Sequence, residues 1–257
     1  MLLRSFTLAL LAAATAAATA QSNTFDLQIG MKSVGRSTYT LAKAKQGFKL
    51  SSHSTYHILG IDYDSANEFK FTDAYAYIEG GSNGLNQMYT SYTPNKARTD
   101  LVVGMVQAGV QDSHHLAIKP DFALLLPFDA GTAQVMLLLA TTHPTVNNLY
   151  NVIVPSGGGG SGQGGANKPG AIPDPSTDTP GGHQAMGNNA YDALWTKGPD
   201  TTGTLDGKPV TVHSYLLTSG KSVWTFYADD ANTLMQLDNS MVKASYIRAK
   251  FKLDLPQ

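Results

Sequence analysis

The sequence predicts a mainly β protein: a single large, strongly curved antiparallel sheet of half-barrel form, carrying one short helix. Three observations predict it. Apolar and polar residues alternate along most of the chain, which is the spacing of strands with one dry and one wet face. Gly, Asn and Asp punctuate these runs at short intervals, as the turns of a meander do. No cysteine is present, so a buried core must hold the fold without disulfide staples.

The elements follow in chain order. Residues 1–20 have the parts of a secretory leader: Arg4, an apolar stretch at 6–14, and Ala18-Thr19-Ala20 as a cleavage site. The mature chain is therefore expected to begin at Gln21 and to be periplasmic or secreted. The apolar stretch is too short to span a bilayer, and no later run is long and apolar enough, so no integral membrane span is expected after the cut. Residues 37–42 put Tyr39 and Leu41 on one face, Gln46-Gly47 turns the chain, and Phe48 and Leu50 open the next strand. Residues 68–79 read as one strand with Phe69, Phe71, Tyr75 and Tyr77 on a shared face, followed by a turn at 80–84. Residues 101–110 form a near-continuous apolar strand, with Gly104 and Gly109 marking bends or bulges.

Asp129 is placed to cap a helix over 130–142, with Val135, Leu138 and Leu139 on one stripe and Pro144 ending it. Residues 155–189 are rich in Gly and Pro and nearly free of large apolar side chains, so they read as a disordered loop. The preferred organisation is one β domain over 21–257 interrupted by that loop; a boundary between two domains is the alternative. After the loop about five strands are read, including 210–217, 223–228 and 246–253, with a hairpin turn at Gly220-Lys221. In 246–253 the alternation places Ile247, Ala249, Phe251 and Leu253 on a dry side and Tyr246, Arg248, Lys250 and Lys252 on a wet side.

The run 206–217, then Val223-Trp224-Thr225-Phe226-Tyr227-Ala228-Asp229-Asp230, then 234–237 and Tyr246-Ile247-Arg248, resembles the closing strands of a family of uncharacterised exported bacterial β proteins. Those are similar to the half-barrel of periplasmic lipoprotein carriers of the LolA type. Val34-Gly35-Arg36-Ser37-Thr38-Tyr39 resembles the family's glycine-led early strand, and 149–155 its strand ahead of a loop. The resemblance implies a bent sheet whose concave side holds an apolar ligand, and it implies no catalytic residues. The 155–189 loop departs from a compact carrier.

Composition narrows the partners. Charged residues make up 14 % of the chain, the formal net charge is −1, and no basic stripe is visible along the sequence. That argues against nucleic acid and against an anionic membrane surface. Motifs for chemistry are equally sparse. His53 and His57 lie about two pleats apart on one strand, and His114 and His115 point opposite ways, so neither pair makes the converging set a metal needs. Asp229-Asp230-Ala231-Asn232 suits a turn better than a carboxylate pair, and Asp238 adds no calcium-loop spacing. No serine elbow exists, and the glycine-rich run at 157–165 lacks the Lys-Ser/Thr end of a phosphate loop.

No catalytic residue, metal or cofactor is expected. The best binding candidates are the aromatics Phe69, Phe71, Tyr75, Tyr77, Trp224 and Phe226, read as a ligand lining with an ordinary core face as the competing reading. The functional expectation is a non-enzymatic protein binding a lipid, acyl chain or other amphipathic envelope ligand. The alternative is a structural or interaction protein that meets an envelope protein through the 155–189 loop. An enzyme with a dispersed site and an outer-membrane barrel are lesser options, the latter because Arg248, Lys250 and Lys252 would face lipid. Oligomeric state is left open.

Overall fold

The computed structural model describes residues 20–84, 87–120, 122–155 and 188–254. The leader read at 1–20 falls outside the described residues except for Ala20, as do 156–187 of the predicted loop and the last three residues.

Seventeen strands and one helix are present among the described residues. The first group is β1 (Gln21–Ile29), β2 (Lys32–Lys43), β3 (Phe48–Ile58), β4 (Ile61–Phe71), β5 (Tyr77–Asn83), β6 (Tyr89–Pro94), β7 (Asp100–Gln107), β8 (Val110–Ala117) and β9 (Ala123–Leu124). Helix α1 (Ala130–Thr142) follows. The second group is β10 (Leu149–Pro155), β11 (Asn188–Lys197), β12 (Thr201–Leu205), β13 (Lys208–Ser219), β14 (Ser222–Ala228), β15 (Leu234–Asn239), β16 (Ala244–Arg248) and β17 (Phe251–Leu253).

Following the pairings, the sheet runs β8-β7-β6-β5-β4-β3-β2-β1-β16-β15-β14-β13-β11-β10-β9. Every pair is antiparallel except β9–β10. The sheet is mixed for that reason, curved and not closed, and the expected fold class stands.

One core lies on its concave side. Alternate residues point inward: Phe25 and Leu27 from β1, Tyr39 and Leu41 from β2, Phe69 and Phe71 from β4, Trp224 and Phe226 from β14. Residues on both sides of the 156–187 segment contribute. Helix α1 packs on β2, β3 and β15 and covers this face. Its bounds and its Asp129 cap are those predicted, but burial reaches most of its surface and is not confined to the stripe of Val135, Leu138 and Leu139.

The outer face divides in two. Over β1–β5 it is wet and carries cross-strand pairs, Lys49–Glu68 at 2.9 Å and His53–Asp64 at 2.8 Å among them. Over β14–β16 it is dry, because β12 and β17 pair with each other and β12 pairs with the first half of β13 to form a flap. Val212, Met235 and Phe251 are buried beneath the flap, with Tyr227, Ile247 and Leu253 packed against them.

Five local expectations change. Residues 68–79 are not one strand. Thr72 turns the chain there, its Oγ1 accepting from the amides of Ala74 and Ala76 at 3.2 and 3.1 Å. Residues 80–83 are strand and not turn: a Cβ on Gly80 would sit 2.2 Å from the Glu68 carbonyl oxygen, so glycine is required by close strand approach at a bulge. Residues 101–110 end at a hairpin at Ala108-Gly109. Residues 246–253 break at Lys250, which has φ 66°. Tyr246 is buried in the main core, not on the wet side, while Ile247 meets the second core. Both sides of β16 are dry because the flap covers one of them. The segment after the predicted loop holds seven strands instead of about five.

Candidate functional site

The concave side is the strongest candidate because the predicted lining converges there. Phe69 and Phe71 stand at alternate positions of β4, and Tyr77 faces them from β5, with ring centroids 5.9 and 5.8 Å away. Phe226 and Trp224 enter the same core from β14. Phe226 packs on Trp195 at 5.1 Å, and Trp195 stacks on Tyr215. Tyr75 is the exception. It sits in the β4–β5 turn at φ 59°, half-buried, and stacks on Phe48 at 4.7 Å. Of the two expected polar tips, the Tyr77 hydroxyl donates to the Tyr92 carbonyl at 2.8 Å. Phe69, Phe71, Tyr77 and Phe226 are each at most 2 % exposed, so with α1 in place their surface is spent on the core.

A polar network runs beneath the aromatics. The Asp129 carboxylate is fully buried. It accepts from the Thr132 amide at 2.7 Å, from Asn67 Nδ2 at 2.5 Å, and from the Ser52 hydroxyl. Burial pushes its pKa up, and the hydrogen bonds from Ser52, Thr132, Asn67 and Gly131 offset part of that rise. Ser37 accepts from the Ala130 amide at 3.1 Å and from the Ser54 hydroxyl at 2.9 Å. One turn along α1, the buried Gln134 accepts from the Tyr39 hydroxyl at 3.0 Å and the Leu234 amide at 2.7 Å, and donates to the Asn232 carbonyl at 2.8 Å. Burial holds the Tyr39 hydroxyl far above its ordinary pKa, so it stays protonated and able to donate. The helix is thus tied to β2, β3, β4 and β15 by side chains that satisfy its first turn.

Sequence reasoning recognised only the Asp129 cap in this network. Ser37, Ser52, Ser54 and Asn67 carried a usable signal: all occupy inward positions of strands whose other inward residues are large and apolar. A small polar residue there needs a polar partner across the core.

Two clefts open on the rest of the surface. One, of about 410 Å³, is lined by the hydroxyls of Ser22, Thr24, Thr38 and Thr40 together with Arg248 and Lys250. The other, of about 390 Å³, is floored by Tyr56 and Tyr63, whose rings stack 4.8 Å apart, and edged by His57 and Asp62. Burial pushes the Tyr56 hydroxyl up to about 12.

The remaining chemical candidates separate. His57 pairs with Asp62 at 2.7 Å and His115 with Asp100 at 2.6 Å, both on exposed strand faces. His213 lies between Asp200 and Asp230, at 3.0 and 2.8 Å. Asp229 closes a turn as expected, its Oδ1 accepting from the Ala231 and Thr233 amides at 3.0 and 2.8 Å. Among the described residues no three His, Asp or Glu side chains group as metal ligands. No helix among them is long and apolar enough to cross a membrane. The chain matches no family model, and the comparisons with curated proteins and solved structures found no match.

Proposed function

We propose that this chain is an exported, non-enzymatic binding protein for an amphipathic envelope ligand, whose apolar part takes the place of α1 on the concave side. One observation carries the reading: an aromatic-lined concave face is covered by one helix of 13 residues and by the largely buried segment 122–128 that leads into it, and not by a second sheet. The resemblance to half-barrel carriers points the same way. Ligand entry would exchange helix contacts for ligand contacts on the same apolar surface. The affinity would therefore be set by the difference between the two, not by the full buried area.

The test has two arms. Native mass spectrometry of protein taken from its own envelope should find a co-purified lipid or acyl chain. Hydrogen exchange should show the amides of α1 opening more readily than those of β2 and β3 beneath it. An α1 that exchanges only with global unfolding, in protein free of lipid, defeats the reading.

A second reading is favoured by the filled state of that face: a structural or interaction protein of the envelope, working through the segment between β10 and β11. Those strands pair up to Pro155 and Asn188, so a tight turn can replace 156–187 without disturbing the ladder. Retained folding with loss of a pull-down partner supports this reading; unchanged partners remove it.

A further inference from the structure

Neighbouring antiparallel strands alternate in direction, so every second connection in the meander falls on the same rim of the sheet. One rim collects the turns at 44–47, 72–76, 95–99 and 229–233. The other collects the hairpin tips at 30–31, 59–60, 108–109, 220–221 and 240–243.

The two rims differ in chemistry. The turns of the first carry Lys45, Asp73, Asn95, Lys96, Arg98, Asp229 and Asp230 and no exposed large apolar residue; on that side Val146 stands exposed in the connection into β10. The tips of the second carry Met31, 98 % exposed, Leu59, 95 % exposed, and Val110, 70 % exposed, with Ile61, Met241 and Val242 also exposed. Single exposed apolar residues are ordinary; their concentration on the hairpin tips of one rim is not.

Leu59 sharpens the point. Leu59-Gly60 and Asp206-Gly207 are two-residue hairpin tips with the same pair of positive φ values, 53° and 79° against 52° and 75°. Such a turn favours Asn, Asp or Gly first, and position 206 obeys. Position 59 places a bulky side chain in the left-handed region and leaves it in water. Neither local geometry nor the core accounts for that choice.

Charge follows the same pattern. Three of the tips adjoin one another: the Gly30 amide donates to the Lys243 carbonyl at 2.8 Å, the Ser240 amide donates to the Val223 carbonyl at 2.9 Å, and Ser222 Oγ lies 3.7 Å from Met241 Sδ. Together they hold Lys32, Lys221 and Lys243, all exposed, and no acid. None of these lysines forms an ion pair among the described residues, which is equally true of Lys45, Lys96, Lys208 and Lys252, but the turns that hold Lys45 and Lys96 share their rim with Asp73, Asp229 and Asp230. Asp62 and Asp112 flank only the more distant tips.

We infer that this rim docks on an anionic bilayer surface. Met31, Leu59, Met241 and Val242 enter the headgroup layer, and Lys32, Lys221 and Lys243 meet lipid phosphates. A bilayer fits better than a protein because the apolar groups stand singly on separate hairpins, without a continuous flat face for a partner to cover. A second copy fits worse, since a two-fold contact through these tips sets like charges against each other. The inference is independent of what the concave side binds. It also reverses the expectation from the linear sequence, in which the three lysines are too far apart to form a stripe.

The test is vesicle co-sedimentation with the chain starting at Gln21, comparing phosphatidylcholine vesicles with vesicles that also contain phosphatidylglycerol. Binding should require the anionic lipid and fall with added salt. Neutralising each rim lysine should weaken it roughly fivefold, and Met31→Ser with Leu59→Ser should weaken it further. Lys45→Glu with Lys96→Glu, on the opposite rim, should have no effect. Circular dichroism checks that the variants fold, and the salt series on the unaltered chain stands without them. Equal binding to both vesicles, equal loss from the opposite-rim variant, or a dimer that dissociates on Met31→Ser would each overturn the proposal.

Discussion

The molecule has two dry regions, and they are held together differently. The concave core under α1 draws on both halves of the chain and contains a buried polar network centred on Asp129 and Gln134. The small core under the β12/β17 flap has three buried residues, Val212, Met235 and Phe251, and its polar support sits at its border, where His213 meets Asp200 and Asp230. The difference teaches where specificity comes from. In the large core, apolar burial supplies most of the stabilisation and the network fixes one helix in one orientation, since a misplaced α1 strands Asp129 without partners. In the small core a few apolar contacts hold two short strands, and a surface ion cluster helps to keep them down.

The largest effect that would test this division is expected in the main core. Phe226→Ala should cost about 3–5 kcal/mol in chemical denaturation, because a fully buried ring leaves a cavity that the surrounding strands cannot close. A cost under 1 kcal/mol would mean that the concave side repacks freely and is not a single core.

The network comes next. Asp129→Ala should cost about 2–4 kcal/mol, combining the lost helix cap with the stranded donors of Ser52 and Asn67. Asp129→Asn should cost less and change the pH dependence. The folded carboxyl has its pKa raised above the ordinary 3.8 by burial, so the native state holds that proton more tightly than the unfolded chain does. Its contribution to stability therefore falls as pH rises from about 3.8 through the folded value. Denaturation midpoints across that range should show this decline in the parent chain and a flatter profile in Asp129→Asn. Identical profiles would place the acid in a better-solvated setting than its burial implies.

How far these features could be read in advance depends on how local their causes are. The Asp129 cap and the bounds of α1 were legible because capping is written in adjacent residues. The alternation of Tyr39 and Leu41 was legible because a strand reports its own faces. The flap was not. Its start depends on Lys250 taking a left-handed conformation without being glycine, and only the pairing of β17 with β12 makes that turn worthwhile. The Gly80-Gly81 pair misled because glycine serves tight turns and close strand contacts alike, and its neighbours do not say which. As for the site, the aromatic face was visible, but its closure by α1 was not. The partners of Asp129 come from β3 and β4, 77 and 62 positions away.

In the small core, Phe251→Ala is expected to cost about 2 kcal/mol. That lies below the usual range for a buried phenylalanine because two short strands can settle over the gap. The measurement that separates the regions is hydrogen exchange. The amides of β12 and β17 should lose protection in this variant while those of β2 and β3 keep theirs. Loss of protection everywhere would show that the flap is part of one cooperative unit with the main core.

The smallest effect belongs to the cluster at the flap's border, and its sign is fixed by the titration of one side chain. His213 lies within ion-pair distance of Asp200 and Asp230, and those contacts, Asp200 first, raise its pKa above the ordinary 6.5. Asp200 is held below its ordinary value, first by His213 and then by Lys197. A histidine whose folded pKa is raised stabilises the fold fully below its unfolded value, and that stabilisation is lost as pH climbs through the folded value. Between the range where Asp200 ionises and pH 6 both partners are charged, so His213→Gln should destabilise by no more than ~1 kcal/mol there, as suits a partly exposed cluster. Above the folded value the imidazole is neutral in both states, and parent and variant should converge. A difference that persists undiminished at high pH would mean that His213 acts through packing or neutral hydrogen bonds. The border of the small core would then be held as the large core is, by satisfied polar contacts and not by charge.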